Sequence, residues 1–234
     1  MSHKIIDFHS HILPGADHGS ASPSESQHQI ALLRDAGMTS VVATPHFSPK
    51  HTSVRDFILL RERCLHDLKR IKCTGDPVIY LGAEITLCRN LDKMPELDLL
   101  TVVGTDTLLI ELPEDMDFSM LDTLIRIRSA GFNVIIAHPD RYNPRLSAEI
   151  FSLGFRGQLN AEAFSIRSLL RRKRFLSWVD QGFIAAVGSD LHGTKTSYSQ
   201  NISNMLSAFG DENLNSVASI SSELLTGAVP IDQM

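Results

Sequence analysis

Ile5-Ile6-Asp7-Phe8-His9-Ser10-His11 is a short apolar run that breaks off at two imidazoles. Runs of this length, rich in branched aliphatic residues, read as buried parallel strands. The C-terminal ends of such strands are where α/β barrels place their chemistry. Five more runs end in the same way: Val41-Val42-Ala43-Thr44-Pro45-His46, Val78-Ile79-Tyr80-Leu81-Gly82-Ala83-Glu84, Leu108-Leu109-Ile110-Glu111, Val134-Ile135-Ile136-Ala137-His138 and Ala185-Ala186-Val187-Gly188-Ser189-Asp190-Leu191-His192. A lone histidine at a strand end is ordinarily a hydrogen-bonded rim residue. Packing does not explain six runs that each stop at a metal-type ligand, so the pattern predicts a metal centre at one mouth of a barrel.

Working outward, the segments between these runs read as helices. The first starts near Pro23, capped by Ser22 or Ser24, buries Ile30, Leu32 and Leu33, and stops at Gly37. A charged helix follows the polar loop 47–53 and runs to about Lys72, after which Asp76-Pro77 turns the chain into the third strand. Residues 87–105 have no readable pattern, and Pro95 breaks any long helix there. Further helices are expected over 118–130, 147–153, 165–181, 200–209 and 211–225. Gly157-Gln158-Leu159-Asn160 is a short sixth strand, and 183–189 is the seventh. Seven strands alternating with helices predict a single α/β domain over 1–234, a (β/α)7 barrel one unit short of the eight-stranded form.

A chain of 234 residues with 43% hydrophobic and 21% charged residues suits one such soluble domain. The formal net charge of −5 argues against a nucleic-acid-binding surface, while leaving room for a local basic patch. No apolar stretch reaches the length of a membrane span, and Met1-Ser2-His3-Lys4 leads straight into the first strand. No membrane insertion and no signal peptide are therefore expected, and the expected location is cytoplasmic. Cys64, Cys73 and Cys88 form an odd set without a zinc-knuckle pairing and read as reduced, structural thiols.

His9 and His11 lie two residues apart, on one side of an extended chain, so both rings can reach one ion. Joined by Asp17-His18-Gly19, Thr44-Pro45-His46, His138-Pro139-Asp140-Arg141 and Ser189-Asp190-Leu191-His192, the pair becomes a specific signal. The candidate ligands are His9, His11, His18, His46, Glu84, Glu111, His138, Asp190 and His192. That set exceeds what one tetrahedral ion uses and predicts two or three divalent ions. With no thiolate among them, the nitrogen and oxygen donors suit manganese first, then iron or zinc, rather than a structural zinc. Three divalent ions outweigh three carboxylates, so an acidic protein gains a cationic pocket that favours a phosphate dianion.

At these residues the chain resembles the polymerase and histidinol phosphatase (PHP) superfamily. It is most similar to the bacterial PHP tyrosine-protein phosphatases of capsule and exopolysaccharide loci. The resemblance spans essentially the whole chain, from Asp7-Phe8-His9-Ser10-His11 through Ala43-Thr44-Pro45-His46, Gly82-Ala83-Glu84, Ile110-Glu111-Leu112-Pro113 and Ala137-His138-Pro139-Asp140-Arg141-Tyr142 to Gly188-Ser189-Asp190-Leu191-His192. It implies a distorted seven-stranded barrel with three metals. One ion is assigned to His9, His11, Glu84 and Asp190. A second is assigned to Glu84, as a bridge, with Glu111 and His138. A third is assigned to His46, His192 and the residue before Gly19.

Two departures stand out. The capsule-type pattern has Asp-Asp-Gly where this chain has Asp17-His18-Gly19. Other PHP enzymes place histidine there, so His18 is the implied ligand and Asp17 the fallback. Arg141 matches the phosphate-binding arginine after His-Pro, but the second arginine, expected a few residues after Asp-x-His, is missing. Ser197 aligns at that place with Lys195 nearby, and lysine supplies charge without a bidentate fork.

The resemblance implies a metal-dependent phosphomonoesterase acting on phosphotyrosine of a partner tyrosine kinase of polysaccharide biosynthesis. Metal-bound hydroxide would attack phosphorus while Arg141 stabilises the developing charge, with His46 and His192 as further candidate catalytic groups. The rival readings are a PHP phosphatase for a small phosphate ester such as histidinol phosphate, a metal-binding regulatory module without turnover, and a metal-dependent deacylase or amidohydrolase with an H-x-H barrel. Arg141 favours phosphate over an amide.

Other residues read more plainly. Cys64 and Arg70 have the spacing of a thiol phosphatase but lack the glycines of a phosphate-cradling loop and sit in a helical pattern. Arg171-Arg172-Lys173-Arg174 reads as a solvated helix face before it reads as a dock for an acidic peptide or glycan. Lys50 and His51 belong to a polar loop beside His46, where substrate contact is the alternative. His3, His28 and His66 read as exposed and idle. Asn160 is read equally as pointing into the site or away from it. Asp7 reads as orienting a ligand rather than binding metal.

Overall fold

Thr44-Pro45 interrupts the second strand run, because proline has no N–H to give to a sheet ladder. The computed structural model describes residues 4–165, 169–195 and 197–234. It contains β1 (Ile5–Ser10), β2 (Met38–Ala43), β3 (His46–Phe47), β4 (Val78–Leu81), β5 (Glu84–Thr86), β6 (Thr107–Glu111), β7 (Asn133–Ala137), β8 (Arg156–Asn160) and β9 (Ile184–Gly188). These nine segments form one parallel sheet in the order β3-β5-β6-β7-β8-β9-β1-β2-β4.

Nine segments amount to seven runs. β3 continues β2, and β4 continues into β5, so the two outermost segments of the sheet belong to runs already paired. Ala43 pairs with Leu81 before the break and His46 with Glu84 after it, in unchanged register. Gly82 N donates to Ala43 O at 2.9 Å and Glu84 N to Pro45 O at 3.1 Å, carrying the ladder across the gap. Arg61 Nη1 donates to Gly82 O at 3.0 Å and occupies the carbonyl at the break. Followed by run, the pairing goes full circle, as the seven-stranded expectation requires.

β1 carries one residue more than β2 between the pairs Asp7–Val41 and Ser10–Ala43. Such bulges re-aim side chains beside active sites. Here Phe8 packs with Ile6, Val42, Val102 and Ala186, while the next residue, His9, is turned toward Glu84 and Gln158.

The helices are α1 (Pro23–Asp35), α2 (Val54–Ile71), α3 (Leu121–Ser129), α4 (Pro144–Ser152), α5 (Leu169–Asp180) and α6 (Ser197–Leu224). Ser22 caps α1, accepting from Glu25 N, and Ser53 caps α2, accepting from Asp56 N. Leu33, Leu68, Leu124, Ile150 and Phe175 pack in one core with Val41, Ile79, Ile85, Ile110 and Ile136 of the sheet.

Several boundaries differ from those expected. α4 starts at Pro144 rather than 147, because Asn143 accepts from Leu146 N at 2.9 Å and proline suits the first helical position. The stretch 118–120 is a 3-10 turn ahead of α3. The two expected C-terminal helices meet in α6 at Gly210, whose φ of 66° and ψ of 173° leave the helix. The segment 87–105 holds two 3-10 turns, Leu91–Lys93 and Leu97–Leu100, on either side of Pro95. The expected start of α5 reaches residues outside those described, as does His3.

The end of α6 and the turn after it close the barrel where its strands begin. Leu224, Leu225 and Ala228 pack against Ile6, Phe8, Val42, Val102 and Ala186, and Thr107 Oγ1 donates to Leu224 O. The opposite mouth is left to the ligand-type residues. No helix among the described residues is long and apolar enough to cross a membrane.

Candidate metal centre

Glu84, buried at the start of β5, is the hub of the open mouth. Its Oε2 lies 3.1 Å from His9 Nε2, 3.3 Å from His11 Nε2 and 2.9 Å from His46 Nδ1, and its Oε1 lies 2.9 Å from His138 Nε2. Asp190 Oδ1 is 3.2 Å from His11 Nε2 and 3.6 Å from His9 Nε2. The two Nε2 atoms of His9 and His11 are themselves 3.1 Å apart. Four donors held tetrahedrally at about 2.1 Å from one ion stand about 3.4 Å apart, so these spacings are those of coordination edges.

The donor atoms fall into four compact groups: His9, His11 and Asp190; His9, Glu84 and His138; His46, Glu84 and Glu111; and His11, His46 and His192. Eight of the nine candidates from the sequence are thus brought together. His18 lies outside these groups. It is exposed, with its ring stacked on His46 at 4.7 Å and 7° and 4.5 Å from that of His192. Asp17 instead anchors its neighbours. Its Oδ2 binds His11 Nδ1 at 2.7 Å and accepts from His46 N at 2.9 Å, and its Oδ1 accepts from Gly19 N at 2.8 Å. Its oxygens are taken up by protein donors, whereas the His18 ring faces the His46–His192 pair.

The centre is polar in a way the protein alone does not satisfy. Glu84 Oε2, His46 Nε2, His138 Nδ1 and His192 Nε2 are buried without a hydrogen-bond partner. Native interiors seldom leave such atoms unpaired, because each costs roughly 1–3 kcal/mol. A set of imidazole nitrogens and carboxylate oxygens that converge on one another and leave several atoms unpaired fits divalent cations. Charge supports the fit. Burial raises the Glu84 carboxyl, but His9 and the His11, His138 and His46 rings hold it well below the usual range. Burial is likewise overcome at Asp190 by His9, His11, His192 and Arg141. Both carboxylates are therefore ionised donors. Burial lowers His9 and His11, yet their acidic neighbours leave both above the ordinary histidine value. Glu111 is raised by burial and by the Glu84 charge.

β8 supplies a support that the sequence reading missed. Gln158 Oε1 accepts from His9 Nδ1 at 2.8 Å and from His138 N at 3.3 Å. Its Nε2 donates to Asn160 Oδ1 at 2.8 Å, and Asn160 Nδ2 donates to Asp190 Oδ2 at 3.0 Å. Asn160 therefore faces the site. The available signal was a glutamine two positions before Asn160 in a strand that is otherwise buried. Asp7 accepts from Ser189 N at 2.8 Å and from His9 N at 3.2 Å, locking β1 to the turn after β9. Two of the ligand residues sit on strained backbone: His138 and Asp190 have φ of 33° and 51°, outside the range most side chains adopt.

Arg141, half-exposed, pairs with Asp190 Oδ2 and lies 3.8 Å from Glu162. With Glu111 and His138 it lines a cleft of about 480 Å³ beside the centre. Ser197 opens α6 and is exposed, and the Lys195 ammonium lies over the Tyr198 ring at 5.9 Å. Lys50, His51, His28 and His66 are exposed. Arg171 and Lys173 are exposed on α5, with Arg174 over the Trp178 ring. Cys64 is buried in the middle of α2, its thiol raised by burial, which is the reverse of what a nucleophilic cysteine needs.

A family profile described as capsular polysaccharide synthesis, CpsB/CapC, matches residues 5–214. The tyrosine-protein phosphatase CpsB of Streptococcus pneumoniae is 26% identical over 207 residues, covering 80% of this chain and 83% of that protein. Among solved structures, a chain from work on YwqE of Bacillus subtilis and CpsB of Streptococcus pneumoniae, described there as metal-dependent tyrosine phosphatases, superposes with a TM-score of 0.73. It is 24% identical, and the match covers 97% of this chain and 96% of that one. Dihydropyrimidinase from Brevibacillus agri aligns at a TM-score of 0.54 and 14% identity, covering 83% of this chain and 59% of that one. At these identities the structural matches speak for a shared fold.

Proposed function

The chain belongs to the CpsB/CapC family of capsular polysaccharide synthesis, and on that premise we propose that it is a metal-dependent phosphatase removing phosphate from tyrosine of a protein. The substrate in this reading is the phosphotyrosine tail of a kinase in polysaccharide biosynthesis. The observation that carries it is the convergence of eight imidazole and carboxylate side chains with four buried, unpartnered donor atoms. We assign one ion to His9, His11, Glu84 and Asp190, a second to Glu84, Glu111 and His138, and a third to His46, His192 and His18. Oxygen and nitrogen donors without thiolate suit manganese first, then iron or zinc. All three cysteines are free thiols, which suits the reducing environment of a cytoplasmic protein.

When bound, divalent ions supply a nucleophile from water and offset the charge of the phosphoryl oxygens. The chain's own residues do the rest. Asp190 steadies the Arg141 guanidinium from one side, and the remaining guanidinium N–H groups donate to the phosphoryl oxygens as charge builds on them. His46 and His192 serve in holding rather than in proton transfer. A phenolate leaving group, with a pKa near 10, has less need of a side-chain acid than an alkoxide.

A second reading, a small phosphate ester such as histidinol phosphate, keeps the same centre. It is favoured by Ser197, which leaves Arg141 without a second guanidinium from α6. Turnover of manganese-loaded protein on phosphotyrosine peptides and on a panel of small phosphate esters, histidinol phosphate included, separates the two. The proposal expects phosphotyrosine peptide to give the highest kcat/KM. A higher value on a small alkyl ester overturns it.

A further inference from the structure

The loop that follows Glu111 reads Leu112-Pro113-Glu114-Asp115-Met116-Asp117-Phe118. Asp117 ties it down, accepting from Ser119 N at 3.0 Å and pairing with Arg89 at 2.7 Å. Phe118 nevertheless stands 49% exposed at the start of a 3-10 turn. A single exposed phenylalanine needs no explanation by itself. This one lines the same 480 Å³ cleft as Glu111, His138 and Arg141. The Arg145 guanidinium lies over its ring at 5.8 Å and steadies it from outside.

The rest of the cleft is lined by Leu112, Pro113, Met116, Tyr142 and Leu146, together with the polar side chains of Glu114 and Asn143. Its two sides are pinned to each other, because the Tyr142 hydroxyl accepts from Leu112 N at 2.9 Å. The Tyr142 ring lies 5.8 Å from that of His138 and cannot swing away without breaking that bond. The result is a slot that joins a charged group (Glu111, His138, Arg141) to a largely hydrophobic wall ending in an aromatic ring, with Glu114 and Asn143 as its other polar members. Its volume is in the range that encloses one small organic group.

We propose that this slot is the ring-binding subsite of the enzyme and that Phe118 is the residue that selects aryl over alkyl phosphate esters. The inference rests on the phosphatase reading for its charged end, where Arg141 and the ion that Glu111 and His138 would hold receive the phosphoryl group. A phenyl ring attached to that group enters the slot and meets Phe118, whereas a short alkyl chain leaves the slot wet. Phe118 acts on specificity alone, since its side chain has no group that can bind metal or move a proton.

The test uses non-hydrolysable ligands, so that binding is read apart from turnover. Phenylphosphonate and methylphosphonate are titrated calorimetrically into manganese-loaded full-length protein, wild type, Phe118→Ala and Phe118→Trp. Wild type should bind the phenyl compound about tenfold or more tightly, the scale of an aromatic contact with its buried area. Phe118→Ala should lower that preference by about tenfold and Phe118→Trp should retain it, with metal content and Tm unchanged in both. Equal affinity for the two ligands in wild type, or an undiminished preference in Phe118→Ala, overturns the subsite. Turnover of phosphotyrosine peptide by wild type is scored separately. Its failure beside an intact, Phe118-dependent ring preference removes the phosphatase reading and leaves the aryl slot standing.

Discussion

Gln158 Oε1 accepts a hydrogen bond from Nδ1 of His9, 2.8 Å away in the floor of the centre. With Nδ1 carrying the proton, the lone pair of Nε2 is turned toward Glu84 and Asp190. Asn160 carries the same support to Asp190, so one pair of amides on β8 orients donors from β1 and from the turn after β9.

Gln158→Leu should weaken metal binding by about 10–100-fold, the usual effect of losing a partner that orients a ligand. Competition with a chelator measures this directly, and Tm of the metal-free protein controls for folding. Gln158→Glu restores an acceptor to His9 and should recover part of the affinity. Full affinity in Gln158→Leu would mean that the ring is oriented without help from β8.

Asp17 and His18 separate on the same kind of measurement. Asp17 holds His11 and the backbone at His46, whereas His18 stacks on His46 and His192. His18→Ala should lower the metal content by one ion at most. Asp17→Ala should weaken binding about 10–100-fold across the centre, because two donors lose their anchor. Elemental analysis after dialysis reads both. Loss of a single ion from Asp17→Ala with none from His18→Ala would exchange the two roles.

Glycine at position 188 is required by close approach rather than by turn geometry. A Cβ there would stand 2.5 Å from Gln158 Nε2 and 2.6 Å from His9 Cβ. Gly188→Ala should therefore destabilise the protein by about 1–3 kcal/mol through overpacking and displace His9 or Gln158. Thermal melts and metal content together check this, and a variant that melts and binds metal like wild type removes the steric argument.

The ends of the strand runs were legible because polar ligand types stand out after branched apolar residues. His9, His46, Glu84, Glu111, His138 and Asp190 all declare themselves in that way. That the ladder resumes in register after the breaks at Thr44-Pro45 and Gly82-Ala83 is not legible, since pairing across a break depends on a distant partner. Gln158 was missed for a related reason: its strand is short and half polar, and its partners His9 and Asp190 are far away in sequence. Asn143 as the cap of α4 is legible in Asn143-Pro144, since asparagine caps helices and proline suits the first helical position.

Cys64 should be dispensable for catalysis, because it is buried within α2 and its thiol is raised by burial. Cys64→Ala should keep phosphatase activity within about twofold, while a chelator abolishes it and manganese restores it. Activity that is lost in Cys64→Ala and survives chelation would move the chemistry to the thiol.

Arg141 should act on the transition state and not on the fold. It is half-exposed, its partner is Asp190 Oδ2, and Asp190 keeps Asn160, His11 and His192 as neighbours when the guanidinium is removed. Removing a charged donor from a developing phosphoryl charge costs about 3 kcal/mol, or about a hundredfold in rate. Arg141→Ala should therefore lower kcat/KM on phosphotyrosine peptide by about a hundredfold, with metal content and Tm close to wild type. Arg141→Lys should also be impaired, because an ammonium cannot hold Asp190 and reach two phosphoryl oxygens with one planar fork. Ser197 makes that loss harder to absorb, since α6 brings no second guanidinium to the cleft. Near-full activity in Arg141→Ala would reduce the residue to a rim ion pair and leave substrate charge to the metal ions alone.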